Sequence, residues 1–499
     1  MRVPRFVPVV QGWQPASSGS PQEWGRARKS PGWRCFSGPG ILAILILLLF
    51  PGWSFSLNNS ASETRNKTGK DLIREGINYL ILEQNQRAEE AFLKAKTLDP
   101  YSEEAHNFLG LLYMQQGLYQ KAEDMLTRAV AIEPMYVEAL RNLGKLYLQL
   151  EKFTEASSYL KRAYSLDRNQ PYTAYLLGMS YYFQGQAEKA VSAYEEALAG
   201  DPSLPNEVHY NLGVAYQETS RYLDAIREYE TVLKFEPEHV NTLNNLGLVY
   251  SVIGEKDRAV DLFNRILKIE PNNVKARINL GNIFLGTKDL AEAEKIYRSA
   301  ISLDEKDISP RLNLGVVYYE KGEFEKAKEE WDQLLKIDPE NSKVLSVMGS
   351  AFLEKKKYDE AIKVFKRMRN IMPKNGSIAN TLGYLLADQN KELDLAQKLI
   401  EEALVLDKPN RATYLDSLAW VFFHKGHLEK AKETQERALQ IFRLTHEPIS
   451  SEVHLHMGRI YEKMNKFDLA ETSFKSAIQS NTDPDMVQLA SESLSRLSR

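Results

Sequence analysis

The sequence has 499 residues, 43% of them hydrophobic and 26% charged, which is the composition of a folded protein rather than a disordered one. Residues 1–56 carry six basic side chains and one acidic side chain, so the overall charge of −3 leaves the remainder at −8. An acidic body argues against nucleic acid as a partner, because phosphate binding needs clustered Lys and Arg. The single cysteine, Cys35, excludes an intrachain disulfide.

A short apolar segment follows the basic N-terminal region. Its residues, Ile41 to Phe50, would form a helix roughly 15 Å long, about half of a bilayer core. That length suits the hydrophobic region of a signal peptide, with Pro51 ending the helix and cleavage before Leu57. We therefore expect an exported, extracytoplasmic (periplasmic) protein, with residues 57–68 as a polar linker. A single uncleaved membrane anchor, a buried segment and a start codon placed too far upstream remain open alternatives.

From residue 69 onward the chain repeats one pattern. The segment Leu243–Tyr250 reads Leu-Asn-Asn-Leu-Gly-Leu-Val-Tyr, and three related segments carry asparagine at the place of Asn245. The four asparagines, Asn211, Asn245, Asn279 and Asn313, are 34 residues apart each time. A fixed period of this length is typical of a stacked array of helical repeats.

Each unit predicts two helices with apolar faces, because its hydrophobic residues recur at helical spacing. A small residue marks one place in every unit, which we number position 8, and following it along the chain gives twelve repeats. These residues are Gly76, Gly110, Gly144, Gly178, Gly213, Gly247, Gly281, Gly315, Gly349, Gly383, Ala419 and Gly458. Glycine at position 15, as in Gly117, suits the left-handed backbone that ends a helix. Proline at position 32, as in Pro134, cannot sit inside a helix and separates one unit from the next.

This pattern resembles the tetratricopeptide repeat, and the resemblance covers nearly all of residues 69–484. It implies an all-α solenoid, a right-handed superhelix of about twelve helix-turn-helix repeats. In such an array the first helix of each repeat, helix A, lines a concave groove. Residues 485–499 are expected to form a helix that caps the open end. The resemblance implies protein binding, and no catalytic residue or cofactor is expected.

Candidate binding residues follow from the same resemblance, because position 6 of helix A points into the groove. An amide there can donate to and accept from the backbone of an extended peptide. The five position-6 candidates are Asn142, Asn211, Asn245, Asn279 and Asn313, and Tyr175, Tyr210, Asn244 and Asn282 are expected as further contacts on the same face. Asparagine at position 6 is also common in these repeats, so a purely structural role remains open.

Two other kinds of site are not expected. Some family members bind terminal carboxylates with Lys and Asn at positions 5 and 9, followed by Lys and Arg in a later repeat. Here Arg141 and Lys145 occupy those positions of the third repeat, and the full pattern is absent. His424 and His427 could share a helix face, but no third ligand lies near them in the repeat pattern, so they are interpreted as surface histidines at a turn and no metal site is predicted.

Asn380–Asp388 and Leu415–Trp420 look like a paired sequence found in many bacterial tetratricopeptide proteins of the cell envelope. Ala419 replaces the usual glycine of the second element. We therefore expect a non-catalytic scaffold that binds other proteins or extended peptides in its groove, in the assembly of an envelope complex. A pilus or outer-membrane assembly factor acting through the convex surface, and a regulatory subunit of an enzyme, are the alternatives.

Overall fold

The computed structural model describes residues 67–409 and 411–497. The apolar segment at residues 41–50 and the predicted cleavage site lie outside these residues. Within the described part, no helix is both long enough and apolar enough to cross a membrane. The described residues fall into two compact units, within 67–276 and 277–497.

The described residues form twelve helix pairs followed by one further helix, and they contain no β-strand. The prediction of an all-α solenoid is confirmed. Odd-numbered helices up to α23 are the A helices, and even-numbered helices are the B helices. In chain order they are α1 Gly69–Ile81, α2 Asn85–Leu98, α3 Glu103–Gln115, α4 Tyr119–Ile132, α5 Val137–Gln149, α6 Phe153–Leu166, α7 Pro171–Phe183, α8 Ala187–Gly200, α9 Asn206–Glu218, α10 Tyr222–Phe235, α11 Val240–Val252, α12 Lys256–Ile269, α13 Val274–Gly286, α14 Leu290–Leu303, α15 Ile308–Glu320, α16 Phe324–Ile337, α17 Ser342–Glu354, α18 Tyr358–Ile371, α19 Gly376–Asp388, α20 Leu393–Leu406, α21 Arg411–His424, α22 Leu428–Leu444, α23 Ser451–Lys463, α24 Phe467–Ser480 and α25 Pro484–Leu497.

Within each pair, the small residue at position 8 lets a bulky side chain of helix B lie against the backbone of helix A. At Gly281 an added Cβ would lie 2.7 Å from Cε1 of Tyr297, a separation that real Cβ atoms do not tolerate. The Tyr297 ring is held in place, because its side chain is fully buried and its hydroxyl donates to Asn282 Oδ1 at 2.6 Å. Glycine at this position is therefore a packing requirement.

The turn between helices A and B uses a left-handed residue at position 15. Five of these residues are the glycines that the sequence predicts, among them Gly117 with φ of +72°. The same conformation also occurs at residues with side chains, such as Glu83, Lys288 and Lys356, with φ of +58°, +62° and +55°. The turn geometry is thus maintained by the packing of the two helices even where glycine is absent.

Neighbouring repeats are joined by two recurring polar contacts. Arg162 and Arg265, both on B helices, donate to the carbonyl oxygens of Pro134 and Pro237 of the preceding repeats, at 3.1 and 3.0 Å. Tyrosines on A helices donate to glutamates of the preceding B helix. Examples of these are Tyr113 to Glu89 and Tyr147 to Glu123, both at 2.9 Å, and Tyr318 to Glu294 at 3.0 Å. These hydrogen bonds link successive repeats in addition to their apolar packing.

The final helix, α25, covers the last repeat. Ala490 on α25 is fully buried and packs in one cluster with Leu455 of α23 and Phe474 of α24. Met486, Leu494 and other partly buried side chains of α25 extend this contact. The helix thereby shields apolar surface that a further repeat would otherwise cover.

Gly281→Ala is predicted to lower the free energy of unfolding by about 1–3 kcal/mol, because the new methyl group overlaps the fixed Tyr297 ring. Gly286→Ala is the matched control in the same helix, since nothing lies within 4 Å of a Cβ added there. That control is expected to be neutral or stabilising, as alanine favours the helix. Urea denaturation followed by circular dichroism measures both, and equal stability of the two variants would contradict the packing requirement.

Candidate peptide-binding face of the A helices

The five position-6 asparagines all lie on A helices, but they differ in accessibility. Asn142 on α5 and Asn313 on α15 are buried, with 5% and 2% of their surface exposed. Asn211 on α9, Asn245 on α11 and Asn279 on α13 are half-buried and still reach solvent. The five asparagines look equivalent in the sequence, but the side chains of Asn142 and Asn313 are therefore largely inaccessible to solvent. As peptide contacts, all five remain predictions.

Four of these asparagines connect their own A helix to the A helix of the preceding repeat. In each case the side-chain amide nitrogen donates to a polar side chain one repeat earlier. The bonds run from Asn142 to Asn107 Oδ1 at 2.8 Å, from Asn211 to Tyr175 Oη at 3.1 Å, from Asn245 to Tyr210 Oη at 3.2 Å, and from Asn313 to Asn282 Oδ1 at 2.8 Å. We call these four bonds the amide rungs.

The residues predicted as further peptide contacts prove to be part of the same bonds. Tyr175, Tyr210 and Asn282 are the acceptors of three amide rungs. Burial raises the pKa of Tyr175, which keeps its hydroxyl protonated. Asn244 donates to Asn245 Oδ1 at 3.3 Å. The sequence predicts these residues on the A helices, where they lie, but it does not show that they are hydrogen-bonded to the position-6 asparagines.

The amide rungs of Asn211 and Asn245 involve only the nitrogen end of each side-chain amide. The rung of Asn211 uses its amide nitrogen, and its Oδ1 accepts no hydrogen bond from the residues that the structure describes. Asn245 uses its nitrogen in the same way, and within the described part of the chain its Oδ1 accepts the long bond from Asn244 alone. An amide oxygen held in a fixed orientation suits the N–H group of an extended backbone.

A buried polar cluster in the second unit was not foreseen. Asp416 Oδ1 lies 3.0 Å from His456 Nδ1 and accepts from Gln435 Nε2 at 2.6 Å. Trp420 stacks on the His456 ring with 4.1 Å between ring centroids. Burial alone would raise the pKa of Asp416, but His456 and Gln435 hold it below its usual value. The cluster is closed to solvent and joins the last repeats internally.

The histidines considered for metal binding lie apart from any ligand set. Across 67–409 and 411–497, no group of three or more His, Cys, Asp and Glu side chains could hold a metal ion. His424 instead packs edge-on against Trp420 at 4.8 Å, and burial lowers its pKa. His427 is exposed. His424 is thus a packing residue of the α21 surface.

The helix pairs, their small position-8 residues and their repeat-to-repeat contacts define a helical repeat protein. Models described as tetratricopeptide repeat or TPR repeat match residues 101–169, 178–220, 210–274, 254–307, 284–351, 412–443 and 451–484. These spans together cover more than half of the sequence, so the chain belongs to the tetratricopeptide repeat family. Membership indicates a protein-binding scaffold, and the fold is typical of non-catalytic proteins.

Solved structures with similar folds include the MamA protein, at 25% identity over 35% of this chain and 94% of MamA, with a TM-score of 0.32. PilF from Pseudomonas aeruginosa matches at 18% identity, covering 42% of this chain and 94% of PilF, with a TM-score of 0.38. Tom70 from yeast matches at 17% identity over 86% of this chain and 96% of Tom70, with a TM-score of 0.37. A search of curated proteins finds no significant match. TM-scores this low carry no information about partner or pathway.

Asp416→Ala is predicted to destabilise the C-terminal repeats by about 1–3 kcal/mol, because the buried donors of His456 and Gln435 lose their acceptor. Asp416→Asn is the matched control, since it retains a side-chain oxygen, and it should cost less. Hydrogen exchange of α21–α23 in urea measures both variants.

Comparison of the wild type with Asp416→Asn gives a prediction for the pH dependence of stability. The pKa of Asp416 is lowered in the fold, so its contribution is complete above the unfolded-state pKa and is lost as pH falls through the folded-state pKa. Wild type and Asp416→Asn should therefore converge in stability below about pH 4. A stability difference that stays constant with pH would contradict an ionised Asp416.

Proposed function

We propose that this protein is a non-catalytic scaffold that binds an extended segment of a partner polypeptide on the A helices of the first unit. The observation that supports this is that the nitrogen and oxygen ends of the Asn211 and Asn245 side chains are used differently. Their amide nitrogens donate to Tyr175 and Tyr210, while both asparagines remain half-exposed residues. Oxygens at repeat spacing would accept from backbone N–H groups of a peptide independently of its sequence.

A second candidate surface in the same unit lies mainly on the B helices α10 and α12, and α11 contributes Tyr250. A cleft of about 600 Å³ there is lined by charged and apolar side chains, including Glu230, Leu233, Tyr250, Arg258 and Arg265. Such a mixed surface favours a folded protein over an extended peptide, because it offers side-chain contacts and no row of backbone-binding groups. Binding there would make the protein an assembly factor acting through its convex surface.

We further propose that the protein acts in the cell envelope, exported by the signal peptide predicted over residues 41–50. The support is the short apolar length of that segment and the small residues Ser54 and Ser56 before Leu57. In this setting the partners would be components of an envelope complex.

The double variant Asn211→Ala/Asn245→Ala is expected to weaken peptide binding at least about tenfold, because two amide acceptors are lost. An array of unrelated 15-residue peptides identifies binders, and fluorescence polarisation then measures their affinities for each variant.

Removing these asparagines also breaks two amide rungs, so a matched control is needed. Tyr175→Phe/Tyr210→Phe removes the rung acceptors and leaves both asparagines in place. This control should retain more affinity than the asparagine variant, because both oxygens are still present although the tyrosines no longer orient them. If both double variants lose affinity equally, the asparagines act through stability and the proposed contact is wrong.

Determination of the mature N-terminus tests export separately. N-terminal sequencing of protein purified from the envelope fraction should give Leu57 as the first residue. A mature protein that still contains residues 41–50 would indicate the membrane anchor instead.

A further inference from the structure

The last repeat contacts an A helix two repeats earlier in the second unit. The Tyr384 hydroxyl of α19 donates to Glu452 Oε1 of α23 at 2.5 Å. The rings of Tyr384 and His456 lie 6.1 Å apart, centroid to centroid, and His456 also contacts Asp416 of α21. Side chains of three successive A helices therefore meet at one place, whereas each amide rung joins only two adjacent repeats.

A second contact links elements that are still further apart in the sequence. Nζ of Lys356, in the turn between α17 and α18, lies 2.9 Å from Oδ2 of Asp485 in the first turn of α25. Both side chains are more than half exposed, at 65% and 61%. An exposed ion pair stabilises a fold only slightly. This outer contact can therefore break and re-form while both helices stay intact.

The apolar core becomes smaller where the last repeat is attached. The large buried cluster of the second unit extends along the chain as far as Val421 in α21. Beyond it, the described residues form two clusters of five buried side chains, one joining α21, α22 and α23 and the other within α23–α25. Elements with few buried apolar contacts open at a lower free energy than the rest of a fold. Polar contacts thus contribute much of the attachment of residues 451–497.

We propose that residues 451–497 form a latch, which closes the A-helix face of α19 and α21 in the free protein and moves away to open it. In the closed state, Glu452 and His456 lie against Tyr384 and Asp416, and both latch residues are buried, with 5% and 2% of their surface exposed. The latch goes beyond the proposed function, because it controls access to repeats of the second unit and uses none of the asparagines of the first.

The structure provides a hinge and a rigid moving part for this latch. Residues 445–450 connect α22 to α23, and His446 within them has a left-handed backbone with φ of +55°. Hinges are commonly a few loop residues that absorb backbone rotation. Ala490 keeps α25 packed on α23 and α24, so the three helices move together. Burial raises the pKa of Tyr384, which keeps its hydroxyl protonated as the donor that closes the latch.

Reversal and exchange of the outer ion pair test the latch. Lys356→Asp and Asp485→Lys each place two like charges opposite one another, and the combined variant restores an ion pair of reversed polarity. Nitroxide labels at Lys363→Cys and Gln488→Cys, both exposed positions, report the distance between α18 and α25 by pulsed electron paramagnetic resonance in a Cys35→Ser background. Each single variant should at least about double the population at longer distances, and the combined variant should return it to the wild-type value.

Chemical modification of His456 tests the inner contact. Tyr384→Phe removes the hydrogen bond and keeps the ring, so diethyl pyrocarbonate should modify His456 at least about fivefold faster than in the wild type. Tyr318→Phe is the matched control, because it removes an equivalent bond to Glu294 between adjacent repeats and leaves the latch unchanged. Exposed His427 should react equally in every variant.

Three results would overturn the latch. The first is a label distance that is the same in the wild type and both single charge variants, which would make the contact a fixed part of the fold. The second is equal modification of His456 in the wild type and Tyr384→Phe. The third is loss of helicity in Lys356→Asp by circular dichroism, because opening leaves every helix intact. None of these measurements involves Asn211 or Asn245, so failure of the latch and failure of peptide binding are distinguishable.

Discussion

The close approach of helices A and B at position 8 sets the geometry on which the other contacts depend. Where position 8 is glycine, a bulky side chain of helix B lies against the bare backbone of helix A, as at Gly281 and Tyr297. This close approach recurs from pair to pair, so equivalent residues of successive A helices come to lie side by side. This alignment allows a side chain at position 6 to reach a side chain of the preceding repeat.

In the proposed binding model, one residue type serves structure and binding together. A side-chain amide has a donor end and an acceptor end, and the two can be used for different purposes. In Asn211 and Asn245 the donor end is fixed by a tyrosine of the preceding repeat, which orients the acceptor end. In Asn142 and Asn313 both the residue and its acceptor are buried, so the same bond serves packing alone. The proposal therefore assigns peptide binding at position 6 to Asn211 and Asn245 and a structural role to Asn142 and Asn313.

Much of the fold follows from the sequence, because its determinants are local and recur with the period. Gly281 and Pro134 have one explanation each, in close helix packing and in helix termination. The left-handed turns at Glu83 and Lys356 could not be foreseen, since packing imposes a conformation that these residues disfavour by themselves. Contacts between residues far apart in the sequence could not be predicted either. Asp416 and His456 are 40 residues apart, and nothing in either local sequence indicates that the two side chains meet.

Site-specific photo-crosslinking is the most direct test of binding on the A helices. A photoreactive residue at Leu248, on the same face of α11 as Asn244 and Asn245, reports on the proposed face, and one at Asp261 on α12 reports on the B-helix cleft. The scaffold model predicts crosslinks to a partner polypeptide from Leu248 that disappear in Asn211→Ala/Asn245→Ala. Crosslinks from Asp261 alone would contradict it and place the partner on the opposite helices.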